Sequence, residues 1–219
     1  MVQQASPHSK PELLYPDSDG QPMAENTEHF EWIVTIKENL DIVFANDSAV
    51  FVAGDLLWYP VAGNNQLRQA PDVMVVFGRP KGYRGSYKQW EEDDLPPQVV
   101  FEIWLPGNRP SLMTQKFHFY DRYGVEEYYI YDPDKVDLTV WLRQGDRLMP
   151  IAIEQDWNSP RMGIRFVLTD AELSLYRPDG KPFLGFVELE QQAQQERQRA
   201  EQAEARVREL EERLRQLEE

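Results

Sequence analysis

Two acidic residues lie in segments whose other residues are mostly apolar. Asp72 opens the run DVMVVF directly after Pro71, and Glu102 lies inside the run VVFEIWL. Burying a carboxylate is costly unless it is paired or binds a cation. If the two runs form neighbouring strands of one sheet, the two acids indicate a site for a hard divalent metal. Such an ion could polarise a phosphoryl oxygen and lower the pKa of an attacking water.

A positive group for the same site comes from the segment after Glu102. Lys116 lies in a predicted helix whose residues Met113, Phe117 and Tyr120 indicate packing on a sheet. From there its ammonium could reach the two acids as a compact charge beside a water or a phosphate. Asp72, Glu102 and Lys116 are therefore the predicted catalytic residues, with Asp72 and Glu102 as metal ligands.

The composition restricts which metal could bind. The chain has no cysteine, and its three histidines, His8, His29 and His118, are too far apart to form a His-rich metal motif. Disulfides and thiolate-bound zinc are excluded. Oxygen ligands favour magnesium, manganese or calcium, and we expect Mg²⁺ or Mn²⁺ as the cofactor.

The elements that must position these residues are read from apolar runs and turn signals. The first helix begins near Asn26 or Thr27, and its apolar positions Phe30, Ile33, Val34 and Leu40 recur at helical spacing. The predicted class is α/β, with a mixed sheet flanked by helices. The predicted elements are helices from about residue 26 and over 112–123, strands over 50–59, 72–77, 99–105 and 127–131, a hairpin over 138–142 and 147–153, and irregular strands over 154–187.

Both ends of the chain differ from this core. Residues 1–24 contain four prolines among small polar residues and are predicted to be a flexible leader, followed by a domain over 25–187. Residues 188–219 are predicted to form a coiled coil, which would make the protein a homodimer. The alternative is a helix folded back on its own domain. The expected stripe has unbroken 4-3 spacing and consists of Leu189, Ala193, Glu196, Ala200, Ala203, Val207, Leu210, Leu214 and Leu217.

The net charge of −15 argues against broad attraction to nucleic acid, because lysine and arginine supply most non-specific affinity for phosphates. Residues 188–219 hold ten acids and six arginines, so most of the excess lies in the body of the chain. No apolar run is long enough to span a membrane and no signal pattern opens the sequence, which together predict a cytoplasmic protein.

Three segments together resemble a known family. The stretches APDVMVVFGRP, PPQVVFEIWLPGNRP and MTQKFHFYDRYGVEEYYIYDP, in this order, are similar to the Uma-type (Uma-two) restriction endonuclease family of the PD-(D/E)XK nuclease superfamily. The resemblance covers about residues 25–187. It implies a restriction-endonuclease-like fold and metal-dependent hydrolysis of DNA phosphodiester bonds.

The resemblance also assigns roles to residues. Pro71-Asp72 matches the P-D element and Glu102 the second acid. The superfamily's usual lysine would be at the position of Trp104, and Lys116 resembles a lysine displaced onto the following helix. Leu105 stands where a serine is common in the family.

Four further polar residues could belong to the site or have a simpler structural role. Asp55 could be an additional ligand, although a tight bend with a local hydrogen bond is favoured, and Glu38 could face the site. His118 is expected to be a packed histidine without a catalytic role. Asp179 repeats the P-D letters in a turn and is not expected to belong to the site.

The loop over residues 78–94 interleaves Arg79, Lys81, Arg84 and Lys88 with aromatic residues. Such a loop could contact phosphates and stack on bases. It could equally be a surface loop whose acids over 91–94 offset its positive charge.

Three functions remain open from the sequence. The leading hypothesis is a Mg²⁺-dependent endonuclease that acts on DNA, with two sites brought to one duplex by the coiled coil. The alternative from another class is an inactive or weakly active nuclease fold that serves as a binding or assembly module. Hydrolysis of a non-nucleic phosphate ester is also compatible with these residues.

Overall fold

A computed structural model of the chain describes residues 13–20, 24, 26–105, 107, 109–153 and 155–218. Most of the predicted leader, Pro106 of the quoted motif and the side chain of Leu217 lie outside the described residues. The chain divides into two compact units, Met1–Pro182 and Phe183–Glu219.

The first unit contains two helices, eleven short strands and one 3-10 turn at Gln89–Glu91 within its described residues. In chain order the helices and strands are α1 (Thr27–Val43), β1 (Val50–Gly54), β2 (Trp58–Tyr59), β3 (Val73–Phe77), β4 (Tyr87–Lys88), β5 (Val99–Ile103), α2 (Pro110–Tyr123), β6 (Glu127–Asp132), β7 (Asp137–Gln144), β8 (Arg147–Ile151), β9 (Asp156–Asn158), β10 (Arg165–Leu168) and β11 (Leu173–Tyr176).

The central sheet has six strands in the order β1-β3-β5-β6-β7-β8. All neighbouring pairs are antiparallel except β5 and β6, which run parallel and are connected through α2. A parallel pair needs such a crossover, because a tight hairpin can join only antiparallel strands. The predicted mixed sheet flanked by helices is confirmed.

Helices cover both faces of this sheet. On one face, Tyr120 of α2 packs against Tyr128 of β6, with ring centroids 5.0 Å apart. On the other face, Trp32 of α1 contacts Tyr131, and Phe166 of the small sheet β9–β11 stacks on Tyr129. Burial on both faces explains why β3 and β5 are nearly continuous apolar runs.

Helix α1 begins where predicted, and its buried positions include polar side chains. Its N-cap is Asn26, whose side chain accepts a hydrogen bond from the backbone N–H of His29. Among the apolar positions that indicated this helix, Ile33 and Leu40 are buried, whereas Phe30 is 47% exposed. The buried positions include two polar side chains and are His29, Ile33, Ile36, Asn39 and Leu40.

The described part of the leader, residues 13–20, contacts the domain. Tyr15 lies 5.2 Å from Tyr59 and 4.9 Å from Trp90 between ring centroids. The hydroxyl of Tyr59 donates to the carbonyl of Pro16 at 2.7 Å. This segment therefore has specific packing partners near β2 and β4.

The second unit contains one long helix, α3 (Phe186–Glu218). Val207, Leu210 and Leu214 of the predicted stripe are exposed, and Arg206 pairs with Glu209 at 2.6 Å. A helix of this length extends over roughly 50 Å. In the described residues of the whole chain, no helix is both long and apolar enough to cross a membrane.

A buried acid, Glu127, links the central sheet to the segment between β9 and β10. Glu127, at the start of β6, is 2% exposed and accepts hydrogen bonds from Tyr129 Oη, Ser159 Oγ and the backbone N–H of Arg161. Three donors compensate for its burial, so Glu127 has a structural role.

Replacing Glu127 tests this role. We expect Glu127→Ala to lower the free energy of unfolding by about 3 kcal/mol, because two hydroxyls and one N–H lose their acceptor. Glu126→Ala is the matched control, since Glu126 forms only a partly exposed ion pair with Arg161 and should cost less than about 1 kcal/mol. Urea denaturation measures both. Equal losses in the two variants would contradict the assignment.

Candidate active site

Strand pairing brings the two predicted acids together. Val73 of β3 pairs with Phe101 of β5 in antiparallel register, so Asp72, just before β3, comes opposite Glu102. Asp72 Oδ2 accepts a 2.6 Å hydrogen bond from the backbone N–H of Ile103. The carboxylate of Asp72 is therefore held directly beside the strand that carries Glu102.

The third predicted residue contacts Glu102 directly. Glu102 is 2% exposed, and its Oε2 lies 2.6 Å from Lys116 Nζ. Its other oxygen, Oε1, accepts a 2.5 Å hydrogen bond from Tyr120 Oη. The predicted association of Glu102 with Lys116 thus matches the geometry, and Tyr120 is an added partner.

The sequence of α2 explains how both partners reach Glu102. Lys116 and Tyr120 are four residues apart, which places them on the same face of a helix. The helix ends at Gly124, which adopts φ +96° and whose N–H bonds the carbonyl of Tyr120. Glycine enters this left-handed region without the steric cost of a side chain. The chain then turns directly into β6 beside β5.

Burial and charge shift the pKa values of this pair. Burial raises the pKa of Glu102 to about 7, although Lys116 acts in the opposite direction. Burial alone would lower the pKa of Lys116, but the charges of Glu102 and Asp72 outweigh it and the pKa is raised. Lys116 is consequently an ammonium at neutral pH, and Glu102 holds a proton more readily than an exposed carboxyl does.

Asp55 is a third carboxylate at the site. The predicted strand over 50–59 is broken at Asp55, which has φ +47° and donates its backbone N–H to the carbonyl of Asp72 at 3.1 Å. Burial, followed by the charge of Asp72, raises the pKa of Asp55 to about 6. Asp55 thus lies in a bend, as favoured from the sequence, although its hydrogen bond is a backbone bond to the distant Asp72. The bend also places Asp55 in electrostatic contact with Asp72.

A buried hydroxyl lies in the same region. Tyr128 Oη has no hydrogen-bond partner among the described residues. Burial, with added contributions from the charges of Glu102 and Asp72, raises the pKa of Tyr128 well above its usual range. The hydroxyl of Tyr128 therefore stays neutral at physiological pH.

Asp72 and Asp55 suit a magnesium-type ion, whereas both oxygens of Glu102 are engaged, so Glu102 could bind an ion only if Lys116 released Oε2. Asp72 and Asp55 are acids whose mutual repulsion a cation would relieve, and both contacts of Asp72 fall on Oδ2, which leaves Oδ1 for a metal. Within the described ranges, no group of three or more His, Cys, Asp or Glu side chains is arranged to hold an ion. Mg²⁺ is commonly bound through only one or two carboxylates, with waters and substrate phosphates completing its shell.

Sequence reasoning missed one residue of the site. His29 Nε2 lies 3.1 Å from Asp72 Oδ2, and the side chain is buried. The sequence does carry a signal for His29, because it lies at helical spacing from Ile33 and Leu40 on one face of α1. A search for the buried face that included polar residues would have found it.

The other three candidates from the sequence, Glu38, His118 and Asp179, lie outside the site. Glu38 is exposed and pairs with Lys37 at 2.8 Å. His118 is exposed, so the expectation of a packed histidine was wrong, and its ring contacts Phe117 with centroids 5.7 Å apart. Asp179 accepts a hydrogen bond from the N–H of Lys181 in a turn, as predicted.

The loop over residues 78–94 pairs most of its cations with its own acids. Arg84 also lies over the ring of Phe51, 4.0 Å from the centroid. These contacts support the interpretation as a surface loop with offset charge, because the cations already have anionic partners. The pairs are Arg79 with Asp93 at 2.6 Å, Arg84 with Glu92 at 2.5 Å and Lys88 with Glu91 at 3.5 Å.

Comparison with known proteins identifies the class as a nuclease family. A family model described as "Putative restriction endonuclease", named Uma2, matches residues 5–181. The chain belongs to the Uma2 family.

Among solved structures, the chain is similar to one described as a putative nuclease belonging to DUF820 from Anabaena variabilis ATCC 29413. The identity is 14%, the TM-score is 0.46, and the match covers 62% of this chain and 72% of that chain. No curated protein matches.

The raised pKa of Asp55 predicts a pH-dependent stability. The folded protein binds the proton of the Asp55 carboxyl more tightly than the unfolded chain does. The free energy of unfolding therefore falls as the pH rises from about 4 to about 6, and it remains at the lower value at higher pH. Asp55→Asn removes the charge, and asparagine tolerates the positive φ. We expect the variant to exceed the parent by about 1 kcal/mol at pH 8, after allowing for partial exposure, and to match it near pH 4.

Urea denaturation at the two pH values measures this difference. Asp179→Asn, in an exposed turn, is the control and should change stability by less than about 0.5 kcal/mol at both. A variant that is no more stable than the parent at pH 8 would show that Asp55 is not electrostatically strained.

Proposed function

We propose that this protein is a Mg²⁺-dependent endonuclease that hydrolyses phosphodiester bonds of DNA in the cytoplasm. The observation that carries the proposal is the contact of Lys116 Nζ with the buried Glu102, on a strand whose neighbour begins at Asp72. Membership of the Uma2 family supports nuclease chemistry at this place.

Asp72 and Glu102 are the proposed metal ligands, with Asp55 as an acid close enough to influence them. Bound there, Mg²⁺ or Mn²⁺ would supply Lewis-acid polarisation of a phosphoryl oxygen and acidification of an attacking water. Asp72 accepts a hydrogen bond from the N–H of Ile103, which orients its carboxylate, and His29 Nε2 lies 3.1 Å from the same oxygen. Held ligands of this kind reduce the reorganisation that binding requires.

Lys116 is proposed to act as a charge and hydrogen-bond donor. Because its pKa is raised, the side chain keeps its proton at neutral pH and is unsuited to remove one from water. An ammonium beside the phosphate would stabilise the negative charge that develops during hydrolysis. Tyr120 is proposed to keep the Glu102 carboxylate oriented when Lys116 turns toward the substrate.

One observation favours the alternative of an inactive binding module. The cations of the loop over residues 78–94 are paired with acids of the same loop, and the net charge is −15. Both features reduce the attraction of the protein for a nucleic acid backbone. An inactive module would retain the fold but would show no metal-dependent cleavage.

Cleavage of DNA in the presence of Mg²⁺ or Mn²⁺ separates the two functions. We expect Asp72→Asn, Glu102→Gln and Lys116→Met each to lower the cleavage rate by about 100-fold to 1,000-fold, since each removes a ligand or a charge at the reacting phosphate. The rate is measured on a labelled DNA duplex and on a single strand, with and without EDTA.

Asp179→Asn is again the control and should cleave like the parent, because Asp179 repeats the P-D letters away from the site. Circular dichroism confirms that each variant is folded. If the parent is folded and cleaves no DNA with either metal, the binding-module alternative replaces this proposal.

We further propose that α3 forms a coiled coil with a second copy of the chain. The stripe has 4-3 spacing over more than four heptads, and Val207, Leu210 and Leu214 are exposed along it. A sustained 3.5-residue repeat is the pattern that supercoiled helices bury against each other. A dimer would bring two sites to one duplex, as cleavage of both strands requires.

The oligomeric state tests this proposal. We expect the parent to be a dimer, and the double variant Leu210→Glu with Leu214→Glu to be a monomer, because charges replace the apolar contacts. The matched control is Gln195→Glu with Gln202→Glu, which adds the same charge outside the stripe. Sedimentation velocity measures all three. A monomeric parent, or a double variant that remains dimeric, would contradict the proposal.

A further inference from the structure

A pocket with aromatic walls lies between α2 and strands β6 and β7. Its volume is about 530 Å³, within the range of small-molecule sites. None of the functions above uses it. Its lining is mainly apolar and includes Trp104, Met113, Phe117, Ile130 and Trp141.

Two aromatic rings of the pocket wall are held in place by contacts with other rings. Trp141 stacks on the buried Tyr128 with ring centroids 5.1 Å apart and planes at 22°. Phe117 lies 5.6 Å from Trp141, also between centroids. Rings held in this way present fixed flat surfaces, which suit stacking of a planar ligand.

The pocket adjoins the candidate active site through two pairs of residues. Trp104 follows Glu102 by two positions, so their Cα atoms are at most about 7 Å apart. The N–H of Trp104 bonds the carbonyl of Tyr131, which fixes the backbone there. On α2, Phe117 follows Lys116 directly. A ligand whose phosphate contacts Lys116 could thus place an attached ring in the pocket.

The polar groups of the pocket favour a base over a phosphate. Asp132 and Asp137 are part of the lining, and Lys135 is already paired with Asp132 at 2.7 Å. Carboxylates repel phosphate but accept hydrogen bonds from the exocyclic amino groups of bases. Apolar and aromatic walls with a few acceptors are the features by which proteins hold an unstacked base.

We propose that this pocket binds an unpaired nucleobase of the nucleotide next to the cleaved phosphate. The inference rests on the proposed function and adds a substrate class to it: DNA in which a base is free to leave the stack, as in a single strand or a mismatch. A paired base cannot enter the pocket, because its faces are covered by its neighbours. Trp104 is the residue that sets this preference.

Binding of two strands with identical phosphates tests the inference. One is a 12-nucleotide deoxycytidine strand, whose bases carry exocyclic amino groups, and the other is a 12-nucleotide strand without bases. Fluorescence anisotropy is measured with the full chain at low salt, with Ca²⁺ in place of Mg²⁺ and strand integrity checked by electrophoresis. We expect the strand with bases to bind about tenfold more tightly, as for stacking of a base on an aromatic side chain.

Variants assign the preference to the pocket. Trp104→Ala should lose the difference between the two strands, whereas Trp104→Phe keeps a flat ring and should retain most of it. Tyr83→Ala is the matched control, because Tyr83 is a highly exposed aromatic residue outside the pocket. Lys116→Met should abolish cleavage but keep the preference, which separates a failure of the proposed chemistry from a failure of the pocket.

Equal affinity of the parent for the two strands would overturn the inference, and so would a preference that survives in Trp104→Ala. A Trp104→Ala protein that loses self-association instead of base preference would assign the pocket to a protein interface. Cleavage that persists without any base preference would leave the endonuclease proposal intact and reject the pocket alone.

Discussion

Glu102 is a carboxylate with almost no access to solvent, and the surrounding elements compensate for its burial. Lys116 and Tyr120 occupy its two oxygens, which requires α2 to cross the sheet at one position and to end at Gly124. The parallel pairing of β5 with β6 follows from that crossover. Burial raises the pKa of Glu102, which is a feature of candidate functional sites.

Much of this arrangement could be predicted from the sequence. Glu102 is conspicuous because a single charge interrupts an apolar run, and Lys116 lies four residues before Tyr120 on a helix with an apolar face. Local pattern was sufficient for these elements, since burial on both faces leaves a continuous apolar signature. Glu127, however, lies in a similar apolar run and is fully satisfied by three donors, so the pattern alone does not separate a structural acid from a functional one.

The remaining features depend on contacts between distant segments. His29 meets Asp72 only because α1 packs across β1, β3 and β5, and no local signal in the sequence joins the two residues. The sequence indicated a bend at Asp55, but its position beside Asp72 depends on the pairing of β1 with β3. Likewise, the ion pairs within the loop over residues 78–94 depend on its folded path. These pairs favour a surface loop with offset charge over a loop that contacts phosphates, two interpretations that the composition supports equally.

The central claim is that Asp72 and Glu102 form one metal site, and calorimetric titration with Mn²⁺ near pH 7 tests it most directly. The account predicts one ion bound per chain. It also predicts that binding releases protons, because the pKa of Glu102 is about 7 and that of Asp55 about 6. Repeating the titration in buffers of different ionisation enthalpy measures the number of protons released. Binding should disappear in Asp72→Ala and in Glu102→Ala while Asp179→Ala binds normally. A folded parent that binds no Mn²⁺, or binding that survives in both site variants, would contradict the account.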